Sequence, residues 1–224
     1  MRLLVTNCDA PLAGAVASGL EAAHEVRRIH WDQPLEPDSA TAALVEEVQA
    51  VVHFGCPRSD GDAGELLDHA TRHTYNLLLA AAEAGVERCV FVSTLRLLAA
   101  LPAHLAVTEK WRSRPPSGDP ALLACHLGEV VAKEVARDRL LQVVTLRLGF
   151  PEVIGPRSSL HEEHGSAAIA SEDVVTTVAA ALRAELAQWQ EIHVQSPLRG
   201  ARFLMRAAQQ VLGFPAATAP GGAR

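Results

Sequence analysis

TRHTYNLLLAAAEAGVERCVFVST, Thr71–Thr94, holds a helix, a stop and a strand in one run. The helical pattern begins upstream at Glu65 and continues to Ala84. Gly85 then supplies a residue suited to the left-handed turn that closes a helix. Arg88-Cys-Val-Phe-Val-Ser93 follows as a short apolar strand. A helix feeding directly into a buried strand is half of a βαβ unit.

Working outward, the same alternation repeats. Strands are expected at Arg2–Thr6, Glu25–Trp31, Ala50–Phe54, Val143–Leu148 and Glu191–Gln195. Helices are expected at Pro11–His24, Ala40–Val48, Leu122–Leu141, Asp173–Trp189 and Gly200–Leu212. Strands separated by helices build a parallel sheet, and right-handed crossovers place helices on both of its faces. The fold expected is α/β, a doubly wound Rossmann-like sheet whose ligand crevice lies at the carboxyl ends of the strands. Residues 1–215 read as one domain, with a reduced region over 157–215. Residues 216–224 are Ala, Pro and Gly-rich and read as a disordered tail.

The net charge of −6 argues against a nucleic-acid surface and against attraction to an acidic membrane. No apolar run reaches the 18 residues of a spanning helix, and the start lacks a signal-peptide core. The expected compartment is the cytoplasm. Cys8, Cys56, Cys89 and Cys125 form no CxxC pair, so neither a disulfide nor a structural zinc site is expected there.

Several segments, taken in order, resemble the extended short-chain dehydrogenase/reductase family, the NAD-dependent epimerase/dehydratase group. RLLVTNCDAPLAG is similar to its strand-turn-helix LVTGxxGxxG, and AVVHFG to its VVHLA strand. The opening block matches NVxGTxNLLEAAxxxGVxRxVxxSS at Thr74, Asn76, Leu77, Gly85, Val86, Arg88 and Ser93. VTLRLGFPEVIGP resembles LRxxxVYGP, and SEDVVTTVAAAL the helix start VxDVAxAxxxAL. The resemblance covers most of residues 1–195. It implies NAD or NADP as cofactor, held by Thr6, Asn7, Ala10 and Leu12 of the first turn, by Asp32 after the second strand, and by Phe54 and Gly55 after the third. Asp32 would take the ribose hydroxyls, while Arg27 and Arg28 could favour a 2′-phosphate.

The departures are as informative. The phosphate-loop glycines fall on Asn7, Ala10 and Ala13, with Gly14 one residue late. Ala10 adds a methyl where a pyrophosphate comes closest, and Pro11 removes a backbone donor while suiting the first helical turn. Asn7 tolerates a left-handed backbone better than most residues. The family's catalytic Y-x-x-x-K falls on Cys125 to Glu129, and its Ser/Thr near Thr94 or Leu95. A thiol is shorter than a phenol, and Glu129 reverses the charge that lowers the phenol's pKa. Thr94, Cys125 and Glu129 are therefore degenerate positions. The segment after the GP turn is short, and one strand between the second and third looks absent.

The function expected is a non-catalytic Rossmann-like module that senses a nucleotide, regulates or scaffolds. The alternative is an atypical NAD(P)-dependent oxidoreductase or epimerase acting on a nucleotide sugar or a small carbonyl compound. A third reading gives Cys8, Cys56 and Cys125, with His53 and His126, a thiol or metal site; small buried hydrophobes are the competing account. His161 and His164 stand three apart, unlike the four of HExxH, and read as surface loop. Arg147 is expected to have a structural role, orienting loops or pairing with a carboxylate. A homodimer is expected through the helices near 65–84 and 122–141, with His69, His73 and Leu77 on one stripe and Leu123, Leu127, Val130 and Glu134 on the other.

Overall fold

The structure, a computed structural model, describes residues 1–56, 61–102, 104–115 and 118–214. Six parallel strands form the sheet: β1 (Arg2–Val5), β2 (Glu25–Arg28), β3 (Ala50–Phe54), β4 (Arg88–Thr94), β5 (Gln142–Leu148) and β8 (Trp189–Val194), in the order β2-β1-β3-β4-β5-β8. The order reverses between β1 and β3, where a doubly wound sheet opens its crevice. The sheet ends on β2, so the strand that the resemblance places outside it is missing among the described residues. A two-stranded ladder, β6 (Glu152–Val153) with β7 (Ile169–Ala170), stands apart beyond the end of β5.

Each strand sends alternate side chains to opposite faces, and both faces are apolar because both are covered. Leu3, Val5, Ala50, Val52, Val90, Val92 and Leu146 face α1 (Pro11–Leu20), α6 (Ser171–Ala181) and α7 (Arg206–Leu212). Leu4, Val51, Cys89, Phe91 and Val143 face α4 (Thr74–Glu83) and α5 (Pro120–Arg137). The short α2 (Ser39–Val45) starts on the Asp38 carboxylate, which accepts the Ala40 and Thr41 N–H groups.

The expected helix over 65–84 is three pieces: α3 (Ala63–Asp68), a π-helical turn (His69–His73) and α4. In a regular helix His69 and Thr74 would diverge by about 140°. The wider turn sends both inward, where both are buried. The helix expected to reach Trp189 stops at Ala181, whose carbonyl accepts a hydrogen bond from Arg88 Nη1. That leaves Trp189 free to begin β8. The last helix is shorter than expected because the chain before it pairs with Val107: Val107 N–H donates to Arg202 O, and Leu204 N–H to Val107 O. The tail expected over 216–224 lies outside the described residues.

Candidate functional site

A crevice of about 710 Å³ opens at the carboxyl ends of β1, β3, β4 and β5. Its phosphate-loop side is Asn7, Asp9, Ala10, Pro11, Leu12 and Ala13; α5 contributes Pro120, Ala121, Leu122 and Cys125; β6 and the residue after it bring Glu152 and Ile154.

Asn7 occupies the first glycine position with φ +57°, the left-handed conformation for which asparagine is the best substitute. Its amide donates to Phe54 O at 2.7 Å and lies 3.3 Å from His69 Nε2, which ties the turn to β3 and to the π-helical turn. The close-packing role falls to Gly14 instead of Ala13: a Cβ on Gly14 would stand 3.0 Å from Cys8 O. Pro11 occupies the first turn of α1, and no side chain caps the helix. The N–H groups of Leu12 and Ala13 therefore stand at the crevice, at the positive end of the helix.

Of the residues expected to hold a cofactor, Asn7, Ala10, Leu12 and Phe54 line the crevice, whereas Thr6, Asp32 and Gly55 do not. Thr6 turns its hydroxyl into the sheet, 2.9 Å from His53 Nδ1, and accepts the Phe54 N–H. His53 Nε2 lies 2.9 Å from Thr74 Oγ1, which itself donates to His69 O. Burial holds His53 down to about 3, with His69 adding to the effect, so the ring is neutral and fully engaged. Gly55 is a packing glycine: any Cβ there would stand 2.0 Å from the Phe91 ring.

Asp32 is exposed, and its neighbour Trp31 takes the crevice side. Trp31 stacks on His69 with ring centroids 3.6 Å apart, and its backbone N–H donates to the Asp9 carboxylate. Arg27 and Arg28 are turned away from the crevice. Arg27 donates to Ala43 O and Leu44 O, and Arg28 to Glu21 and Ser18. A 2′-phosphate contact from either is not what the structure offers.

The degenerate positions separate. Thr94 lines the crevice, and its hydroxyl accepts the Arg96 N–H. Cys125 lines it too, but Glu129 faces the sheet. There Arg147 grips both Glu129 oxygens, at 2.8 and 2.6 Å, and also Glu191 at 2.8 Å. The expected carboxylate partner of Arg147 is thus the residue assigned to the lysine position. Crevice-facing residues one turn apart on α5 are Ala121 and Cys125, four residues earlier than the sequence alignment set them. In either register no phenol and no ammonium reaches the crevice from α5. Tyr75 is exposed on α4, outside the crevice.

The cysteine expectation needs correction. Cys56, just past β3, and Cys125 are disulfide-linked, with Cα atoms 4.5 Å apart at a sequence separation of 69. Spacing along the chain carried no sign of this, because the topology alone brings β3's end to α5. Cys8 stays apart, its Sγ on Val5 O and its thiol pushed up to about 11 by burial. His126 bonds Ser113. Among the described residues no three His, Cys, Asp or Glu side chains gather as metal ligands. His161 and His164 stack on each other in an exposed turn.

Ser93, Arg96, Asp119 and Glu152 also line the crevice, and the sequence reading gave none of them a role there. Desolvation raises the pKa of the Glu152 carboxyl, against the opposing pull of a backbone hydrogen bond and of Arg96. The signal for Arg96 and Glu152 lay in their position just after strand ends, which marks crevice residues in a sheet of this kind.

Residues 13–202 match the model of the NAD dependent epimerase/dehydratase family. Nothing matches among curated proteins. Among solved structures, the chain is similar to a tyrosine-to-alanine mutant of uronate dehydrogenase from Agrobacterium tumefaciens complexed with NAD, at 21% identity and TM-score 0.80, over 96% of this chain and 84% of that one. It is similar to MoeE5 in complex with UDP-glucuronic acid and NAD, at 18% identity and TM-score 0.75, over 98% and 95%. It is also similar to UDP-glucose 4-epimerase with UDP-glucose from Thermotoga maritima, at 15% identity and TM-score 0.73, over 98% and 94%.

Proposed function

The chain belongs to the NAD dependent epimerase/dehydratase family, and from that premise we propose that it binds a nicotinamide adenine dinucleotide in the crevice without tyrosine-borne proton transfer. The observation that carries this is the face α5 turns to the crevice: Ala121, Leu122 and Cys125, none of which can donate a proton as a phenol does. The binding half rests on the uncapped start of α1, whose N–H groups suit a pyrophosphate. Trp31 offers a ring edge to a base at the end of β2. Solved relatives hold NAD, one of them with a tyrosine replaced by alanine, which supports separating binding from the tyrosine. The module would then sense a nucleotide or act as a regulatory scaffold.

Titrating NAD, NADH, NADP and NADPH against thermal unfolding tests this. Saturable stabilisation by one of them is expected, about 2.7 kcal/mol at a hundredfold excess over Kd. No stabilisation by any of the four overturns the binding half. Hydride transfer in a screen of uronates and nucleotide sugars overturns the other half.

That second outcome is the alternative function, an active but atypical oxidoreductase or epimerase. Glu152 favours it specifically, since it brings a carboxyl to the crevice that Thr94 also lines, and desolvation shifts that carboxyl upward. Turnover that is lost in Glu152→Gln with retained NAD binding would establish it.

We further read residues 1–215 as one cytoplasmic domain that pairs as a homodimer. His69 and Leu77 are buried within the protomer, so the dimer surface is the outward side bearing Tyr75 and Val130. Sedimentation of the wild type against Val130→Glu checks it, with dissociation expected in the variant.

A further inference from the structure

The Cys56–Cys125 pair sits in the wall of the crevice, and both residues line it. Two glycines bring the elements together. Gly128, one turn beyond Cys125, lies where a Cβ would stand 3.4 Å from Gly55 O and 3.3 Å from Ala70 O. Gly55, next to Cys56, lies against the Phe91 ring. α5 is thus docked directly on the end of β3, and the two sulfurs meet across that contact. Ser93 Oγ stands 3.9 Å from Cys56 Sγ, placed to donate to that sulfur. Cys125 is 4% exposed, whereas Cys56 is partly exposed, so a reagent entering the crevice meets Cys56 first.

We propose that Cys56 and Cys125 are a reversible thiol–disulfide site in the crevice wall, and that its oxidation state sets the affinity for the dinucleotide. The coupling rests on the dinucleotide reading above. In the opening step a thiolate of an external dithiol attacks Cys56 Sγ, the Cys56–Cys125 bond breaks, and Cys125 leaves as a thiolate that takes up a proton. The second thiol of the reagent then attacks the mixed disulfide. The reagent leaves oxidised, with its own disulfide formed, and Cys56 becomes a thiol. A disulfide-containing oxidant reverses both steps. Disulfides that persist in a reducing compartment are uncommon, and those that occur there tend to be redox-active. A bridge accessible from a ligand crevice fits that use better than a buried staple does. The crevice is formed in the bridged state, so the bridged state is the one that binds: the link holds the β3 end and α5 in the geometry a ligand needs and spares the ordering cost of binding.

The test uses the full chain, treated with oxidised glutathione or with dithiothreitol. Alkylation and mass analysis read the pair, and calorimetric titration with NAD reads the crevice. The expected result is an intramolecular Cys56–Cys125 bridge that dithiothreitol removes, with NAD binding about tenfold weaker after reduction. Cys56→Ser should bind NAD like the reduced chain under both treatments, while Cys8→Ser should respond like the wild type. Failure of the bridge to form under oxidation overturns the site. A bridge that forms while NAD binds equally in both states overturns the coupling and leaves the dinucleotide reading standing. NAD binding in neither state, with the bridge formed, overturns that reading and the coupling with it.

Discussion

Glu129 shows how one residue can be placed correctly in a helix and wrongly in a site. Its carboxylate is 6% exposed and bidentate to Arg147, which is itself 3% exposed. A buried charge that loses one of two partners keeps its desolvation cost while Glu191 still pairs with Arg147, so Glu129→Gln is expected to destabilise the fold by about 1–3 kcal/mol. Urea unfolding would measure it. The triple change Glu129→Leu, Arg147→Met and Glu191→Gln should recover most of the loss, because it removes all three charges. Recovery would also show that Glu129 has no part in ligand binding, since NAD affinity should be unchanged. Asn7 is the opposite case. Its tolerance of the left-handed backbone was legible from residue type alone, and φ +57° agrees. What residue type could not tell is where its amide goes. The Phe54 carbonyl is 47 positions away, and only the strand order brings it close.

The elements were legible because their apolar periodicity is local, while their ends were not. Each misplaced end answers to a partner distant in sequence: Arg88 on the carbonyl of Ala181, Val107 on Arg202 and Leu204. The π-helical turn is likewise invisible to periodicity, since one wider turn shifts the stripe without changing which residues are apolar. Two element-scale outcomes follow. Replacing Ala10 by Asp supplies the side-chain cap that α1 lacks, and should raise the stability of the unliganded chain by about 1 kcal/mol. The same carboxylate would repel a pyrophosphate, so NAD-induced stabilisation should shrink or vanish. A rise in both would count against the phosphate position. At the other wall, Gly128→Val places methyls between α5 and the β3 end. A cost of about 1–3 kcal/mol is expected by denaturant unfolding, with slower bridging of Cys56 and Cys125 on oxidation.

Across the whole molecule, acid sensitivity is concentrated in three buried imidazoles. Burial lowers His53 to about 3, His69 to about 4 and His193 to about 3, with a neighbouring positive or protonatable group reinforcing each shift. The unfolded chain binds these protons near the ordinary histidine value and the folded chain does not. Stability is therefore present above about pH 6.5 and lost as pH falls from there toward 4, by about 1.4 kcal/mol per pH unit for each group fully titrating between its two values. Urea midpoints at pH 7 and pH 5 should differ accordingly, and identical midpoints would sink the assignment. The sheet's outer boundary has a different consequence. Among the described residues β2 is the edge of the sheet, and an edge strand is the usual template for chain-to-chain pairing. Arg27, exposed on that edge strand, donates to the carbonyls of Ala43, Leu44 and Glu46 at the end of α2. A charge on an edge strand works against such pairing, so Arg27→Val, which also removes the donor to those carbonyls, should lower the urea midpoint and hasten precipitation on storage.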